Sequence, residues 1–131
     1  MSLLKNIFKN TTTEKKELIS NITWVPLQSL EQLKVLNELS KQEAVVIFKH
    51  STRCGISRMV IKLFEKQFDV SMKNLKVYYL DLLNYRDLSN EVGYKYQVLH
   101  QSPQLLVIKN GMAVEYASHY DITNIELKQY V

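Results

Sequence analysis

The chain has a single cysteine among its 131 residues, so no internal disulfide can form. One cysteine is also a poor basis for a structural zinc site, and the three histidines, His50, His100 and His119, are too far apart in sequence to form an obvious metal set. With only three glycines and two prolines, no flexible linker or low-complexity segment divides the chain, and no internal repeat is visible. No apolar run approaches the roughly 20 residues that a membrane helix needs. The opening Met-Ser-Leu-Leu-Lys-Asn-Ile-Phe is too short and too polar for the core of a secretory signal. The excess of positive charge is small, +4, and scattered. The nearest thing to a basic patch is Lys5, Lys9, Lys15 and Lys16, which outweigh Glu14 and Glu17 and read as a solvated terminus rather than a nucleic-acid site. The expectation is a cytoplasmic protein with no nucleic-acid or membrane partner.

What is present suits one domain with one core: 46% hydrophobic and 23% charged residues. Residues 1–20, with a Thr-Thr-Thr run and many charges, read as a flexible N-terminal extension, and 21–131 as the folded domain. Thr23–Leu27 reads as a short strand that Pro26 places at a sheet edge. Ser29 and Gln32 form a capping box for a helix bearing Leu30, Leu33, Leu36 and Leu39 on one stripe. Ala44–Phe48 is a continuous apolar run, the mark of a central strand covered on both faces. The turn His50–Gly55 follows, then a helix with Ile56, Met59, Val60, Leu63, Phe64 and Phe68 at helical spacing. Lys76–Leu80 is a third strand, in which Tyr78 and Tyr79 should point to opposite faces, one inward and one outward. A helix is expected from about Leu88 to Tyr96 and a fourth strand over Gln104–Ile108. Asn110-Gly111 is a strong hairpin signal, leading to a partner strand over Met112–Tyr116. Thr123 with Glu126 suggests a capped C-terminal helix. The order β-α-β-α-β-α-β-β-α implies an α/β domain, a mixed sheet flanked by helices, and is the order of the thioredoxin-like fold.

Cys54 follows the central strand and opens a helix. Unpaired N–H groups and the helix dipole favour an anion there, and thiolate is the reactive form of cysteine. Arg53 and Arg58 add positive charge, and His50 would add more if protonated and close. Gly55 leaves room for a substrate beside the sulfur. A small buried core residue is the competing reading of Cys54, but the cysteine lies in the turn, off the apolar stripe. Ser57 stands where a Cys-x-x-Cys motif would place its second sulfur. Serine cannot resolve a mixed disulfide, so Cys54 should exchange one thiol at a time with outside partners. The competing reading of Ser57 is an ordinary first-turn helix residue. Pro103 sits just before the fourth strand, where a trans proline is the common case and a cis bond the rarer one.

The segment Phe48-Lys49-His50-Ser51-Thr52-Arg53-Cys54-Gly55-Ile56-Ser57 resembles the active-site segment of the YtxJ-like monothiol bacilliredoxins. Asp87-Leu88-Ser89-Asn90, His100-Gln101-Ser102-Pro103-Gln104 and Ser118-His119-Tyr120-Asp121-Ile122 resemble that family too, over roughly Val25 to Thr123. The resemblance implies that Pro103 is cis and faces Cys54, and that the backbone of Ser102 pairs with a bound thiol substrate. It implies removal of bacillithiol, or a similar small thiol, from mixed disulfides on oxidised client proteins, with Cys54 as the attacking thiolate. Substrate-binding residues would be Gly55, Ser57, Ser102 and Pro103. Bacillithiol would be a co-substrate, with no tightly bound cofactor or metal. One departure is Gly55, where many members have proline.

Cys54-Gly55-Ile56-Ser57 also resembles the Cys-Gly-Phe-Ser of monothiol glutaredoxins, which suggests a [2Fe-2S] cluster carrier as the alternative. One cysteine per chain cannot complete the four ligands of such a cluster, so that reading needs a dimer and external thiols. The Gln-Ser-Pro-Gln before the fourth strand differs from the Thr-Val-Pro of glutaredoxins, and their Gly-Gly-x-Asp signature is absent. An interaction domain with an inert cysteine is a third reading. An arsenate-reductase-like role is a fourth, with only Arg53, Arg58 and Arg86 available to hold an oxyanion. A monomer or weak dimer is expected.

Overall fold

A computed structural model describes residues 21–131; the expected extension over 1–20 lies outside the described residues. Five strands form one sheet in the order β1-β3-β2-β4-β5. β1 (Trp24–Pro26), β2 (Val45–His50) and β3 (Lys76–Asp81) run parallel, whereas β4 (Gln104–Lys109) and β5 (Met112–Ser118) add an antiparallel hairpin. The helices are α1 (Leu30–Leu39), α2 (Gly55–Gln67) and α3 (Arg86–Tyr96). The described helices include none long and apolar enough to cross a membrane.

β2 is the axis of the sheet, paired with β3 on one side and β4 on the other. Its residues alternate between two cores. Val46 and Phe48 join Val60, Phe64 and Phe68 of α2, while Val45 and Ile47 join Leu33 and Leu36 of α1 and Leu88 and Val92 of α3. Covering both faces explains the unbroken apolar run. It also corrects the expectation for β3. Tyr78 enters the second core, and Tyr79, rather than facing water, packs edge-on against Trp24 at 5.7 Å between centroids.

The capping of α1 follows the sequence closely. Ser29 accepts from the Gln32 N–H, and the Gln32 side chain reaches back to the Gln28 N–H and the Pro26 carbonyl. Two apolar stripes are narrower than periodicity suggested. On α2 Val60 and Phe64 are buried, but Ile56, Met59 and Leu63 lie on the exposed face; Leu30 of α1 is exposed as well. The expected C-terminal helix is a correction. The chain forms two 3-10 turns instead, His119–Asn124 and Leu127–Tyr130, separated by an extended Ile125. Thr123 Oγ1 donates back to the Tyr120 carbonyl and caps nothing. The anchors buried in the core are Ile122 and Leu127, a spacing of five that an α-helix cannot put on one face.

The β4–β5 turn uses Asn110 and Gly111 at positive φ (54° and 73°), as two-residue hairpins require. Ser40, at the end of α1, stitches this turn to the helix. Its carbonyl accepts from Asn110 N–H at 2.7 Å and its Oγ from Gly111 N–H at 2.9 Å. Ser40 is fully buried, and Ser40→Ala removes the partner of the partly buried Gly111 N–H. Denaturant unfolding should show a loss of about 1–3 kcal/mol, against little change for the exposed Lys41→Ala.

Candidate active site

The three parallel strands end on the same edge of the sheet, and β4 begins there. β2 runs further than its apolar stretch: Lys49 pairs with Leu80 and Gln104, and His50 with Asp81. His50 therefore belongs to the strand, and the turn is confined to Ser51–Cys54. Cys54 N–H donates to the Ser51 carbonyl at 3.2 Å, and the Cys54 carbonyl accepts from Arg58 N–H at 3.0 Å. Cys54 is thus the extended N-cap of α2, half-buried, with its side chain making no cap hydrogen bond. The sulfur is left free at the helix end where negative charge is favoured. Gly55, the first helical residue, is exposed, and a Cβ there would meet nothing within 4 Å. The approach to the sulfur from that side is open.

Ser57 is fully buried. Its Oγ accepts from Ser51 N–H at 3.1 Å and lies 2.7 Å from His50 Nδ1. That hydroxyl is committed to the turn, so it does not reach a substrate as a side-chain ligand. Nor is it an idle helix residue. Burial lowers the His50 pKa, with Asp81 opposing and Arg58 reinforcing the shift. The lowered pKa favours the neutral ring, which supplies no positive charge to a thiolate; its Nδ1 instead shares a hydrogen bond with the Ser57 hydroxyl. Its ring packs on Tyr79 at 5.6 Å between centroids, and Tyr79 packs on Trp24. Arg53 and Arg58 stand exposed on either side of Cys54, so water and salt screen their fields.

The Ser102–Pro103 peptide bond is cis. Continuing the Lys49–Gln104 register by one pair sets Pro103 opposite His50, on the edge where the Ser51–Cys54 turn begins. Pro103 is buried, and its carbonyl accepts from His119 N–H at 3.0 Å. The sheet thus brings Cys54, Gly55, Ser57, Ser102 and Pro103 to one edge. The described residues contain no cluster of three or more histidine, cysteine or carboxylate side chains able to hold a metal ion.

Lys49 escaped the reading of the sequence. It is fully buried, and its Nζ donates to the Ser89 carbonyl at 3.0 Å and contacts His100 Nδ1 at 3.3 Å. Burial pushes its pKa down to about 8. Burial also lowers the His100 pKa, aided by the charges of Lys49 and Arg86. The one available signal was a lysine inside the resembling segment, directly after an apolar central strand.

These shifts fix the sign of the pH dependence. The unfolded chain binds protons that buried Lys49, His50 and His100 resist, so stability rises with pH across each interval. Lowering the pH below about 6.5, the ordinary histidine value, should progressively destabilise the fold through His50 and His100. The Lys49 contribution is isolated by comparison with Lys49→Met. Between pH 7.5 and 9.5, urea midpoints should shift in favour of the lysine protein by on the order of 1–2 kcal/mol, and a parallel pair of curves would contradict the buried ammonium.

A family model described as monothiol bacilliredoxin BrxC matches residues 25–127. Among solved structures, a thioredoxin-fold protein described as an oxidoreductase is 30% identical, with 82% of this chain and 92% of that one covered, at a TM-score of 0.66. The thioredoxin Mala s 13 of Malassezia sympodialis is 22% identical over 82% of this chain and 90% of its own, at a TM-score of 0.67. Thioredoxin from Trypanosoma brucei brucei is 21% identical over 82% and 87%, at 0.61. The two thioredoxins show likeness of fold alone. The family match spans the strand, turn and helix around Cys54 and the Ser102–Pro103 bond: the chain belongs to the monothiol bacilliredoxin family and is a thiol–disulfide oxidoreductase of thioredoxin-like fold.

Proposed function

We propose that the protein removes bacillithiol, or a similar low-molecular-weight thiol, from mixed disulfides on oxidised proteins, and that Cys54 is the attacking group. The observation that carries this reading is the placement of two side chains one helical turn apart. Cys54, half-buried at the start of α2, is a free thiol whose side chain makes no cap hydrogen bond, while Ser57 Oγ, where a resolving sulfur would sit, is buried and hydrogen-bonded. Family membership supports the chemistry.

The Cys54 thiolate attacks the bacillithiol sulfur of the mixed disulfide. A new S–S bond forms between Cys54 and bacillithiol, the old S–S bond breaks, and the client leaves as thiolate and takes a proton. Cys54 remains S-thiolated. A second thiol then attacks the bacillithiol sulfur and releases Cys54, leaving a small-molecule disulfide. Ser57 offers no internal route out of the first step, so external thiol is obligatory. The helix-start N–H groups face the sulfur end, and the Ser102 backbone, beside the Cys54 turn, is the binding edge for the incoming disulfide.

Reduced protein is incubated with a bacillithiol-modified model protein and, in parallel, with its glutathione-modified equivalent; intact mass reads the adduct. A rapid one-bacillithiol adduct on Cys54, with release of reduced model protein, is the expected result. A preference for glutathione keeps the chemistry and changes the co-substrate. No adduct from either overturns the reading, and anaerobic cluster reconstitution then tests the [2Fe-2S] alternative. Cys54→Ser should lose turnover by at least about a thousandfold, the scale of losing a nucleophile. Ser57→Ala should still form the adduct, slowed less than tenfold, while losing about 1–3 kcal/mol of stability because Ser51 N–H and His50 lose their partner.

A further inference from the structure

Lys49 has no part in the exchange chemistry, yet it occupies an expensive position. Its side chain is fully buried and no carboxylate pairs with it among the described residues. Burying an ammonium without a counter-charge is unfavourable, and an apolar residue of the same length would fill the space at less cost. What the ammonium does touch is specific. Nζ donates to the Ser89 carbonyl of α3 and approaches His100 Nδ1, which Ser89 Oγ also approaches at 3.3 Å.

His100 begins the run that ends in Ser102–Pro103. Lys49 and Gln104 are direct cross-strand partners on β2 and β4, and they grip consecutive residues where that run begins, Leu99 and His100. Gln104 Nε2 donates to the Leu99 carbonyl at 2.9 Å, and Lys49 holds the next side chain, His100. From His100 to Ser102 no other side chain is tied to the described residues, and Ser102 Oγ is buried without a partner. Among the described residues, the next hold on the loop is at the Pro103 carbonyl, through His119 N–H.

We infer that Lys49 is a positioning residue: by holding His100 against Ser89, it fixes the loop that presents the Ser102 backbone to the disulfide substrate. This rests on the reading of Ser102 as the binding edge given above. A donor at Nδ1 leaves the His100 ring proton on Nε2 and locks one orientation of the ring. Without the tie, the loop still passes from Leu99 to Pro103 but samples more conformations, and part of each binding event goes to ordering it.

Two measurements on full-length protein test this, with Lys49→Met as the main variant and His100→Ala as the second. Amide hydrogen exchange reads the loop without reference to activity. Lys49→Met should raise exchange at least tenfold at His119, whose N–H is held by the loop's Pro103 carbonyl, while α2 keeps its protection. Steady-state kinetics with the small-thiol-modified model protein should show KM raised about tenfold, kcat within twofold, and the rate of Cys54 alkylation by iodoacetamide within twofold. The double variant should be no worse than the worse single one, because both remove the same tie. Unchanged exchange at His119 overturns the proposal whatever the kinetics show. So does faster exchange there with an unchanged KM, or a parallel fall in α2 protection and alkylation rate, which marks a merely structural lysine. If wild-type protein fails to turn over either substrate, the functional reading fails, and the exchange measurement alone still decides whether Lys49 holds the loop.

Discussion

The Ser57 hydroxyl joins the end of β2 to the first turn of α2, and the geometry around the cysteine depends on that bridge. It takes the Ser51 N–H, which the strand leaves behind as it ends, and it meets His50 Nδ1, the last side chain of the strand. With both satisfied, a tight turn links a fully buried strand to a helix without leaving a buried donor unpaired. Cys54 then falls at the N-cap, where its carbonyl is used by the helix and its sulfur is not. A thiol at this position would be a weaker hydrogen-bond partner than the serine oxygen. The monothiol character is therefore built into the support of the turn as well as into the chemistry.

β2 carries polar side chains on both faces at this edge, and each face deals with them differently. On the α2 face burial favours the neutral form of His50, which meets the Ser57 hydroxyl and packs at a tilt on Tyr79. On the α1/α3 face Lys49 keeps a charge that only neutral groups solvate. The sheet is thus most stable in its interior and least well compensated at the edge where the reaction occurs. Strained or costly groups at an active edge are expected when the fold elsewhere has stability in reserve.

The architecture was legible because its signals are local. Alternating β and α periods, the Ser29–Gln32 box and Asn110-Gly111 each report on neighbouring residues, and each appears as expected. Thr123 and Glu126 match a capping box, yet no α-helix forms there, because Ile122 and Leu127 both reach the first core and separated 3-10 turns allow it. The extension of β2 through Lys49 and His50 was hidden because polar residues there break the apolar pattern, although ladder pairing on both sides holds them. At the site, Cys54 and Pro103 could be named from position along the chain. Lys49, Ser89 and His119 could not, since their partners are remote; Lys49 meets Ser89 and His100 at separations of 40 and 51 residues. His50 was legible as a neighbour of the thiol but not as a neutral one, because its burial is a property of the closed sheet.

Gly55 shows how far the fold constrains the chemistry and where it stops. The glycine is not demanded by its surroundings, for a Cβ would touch nothing within 4 Å, and its φ lies outside the left-handed region. A glycine in a helix is less favourable than alanine by roughly 0.5–1 kcal/mol, and proline is well suited to the first helical position. Folding alone would favour either replacement. What glycine keeps, and proline would remove, is an N–H at the helix start beside the sulfur, together with an unobstructed face for the approaching disulfide. The residue following Cys54 is therefore free to vary without cost to the sheet or to α2, and its consequences fall on the sulfur and on whatever approaches it.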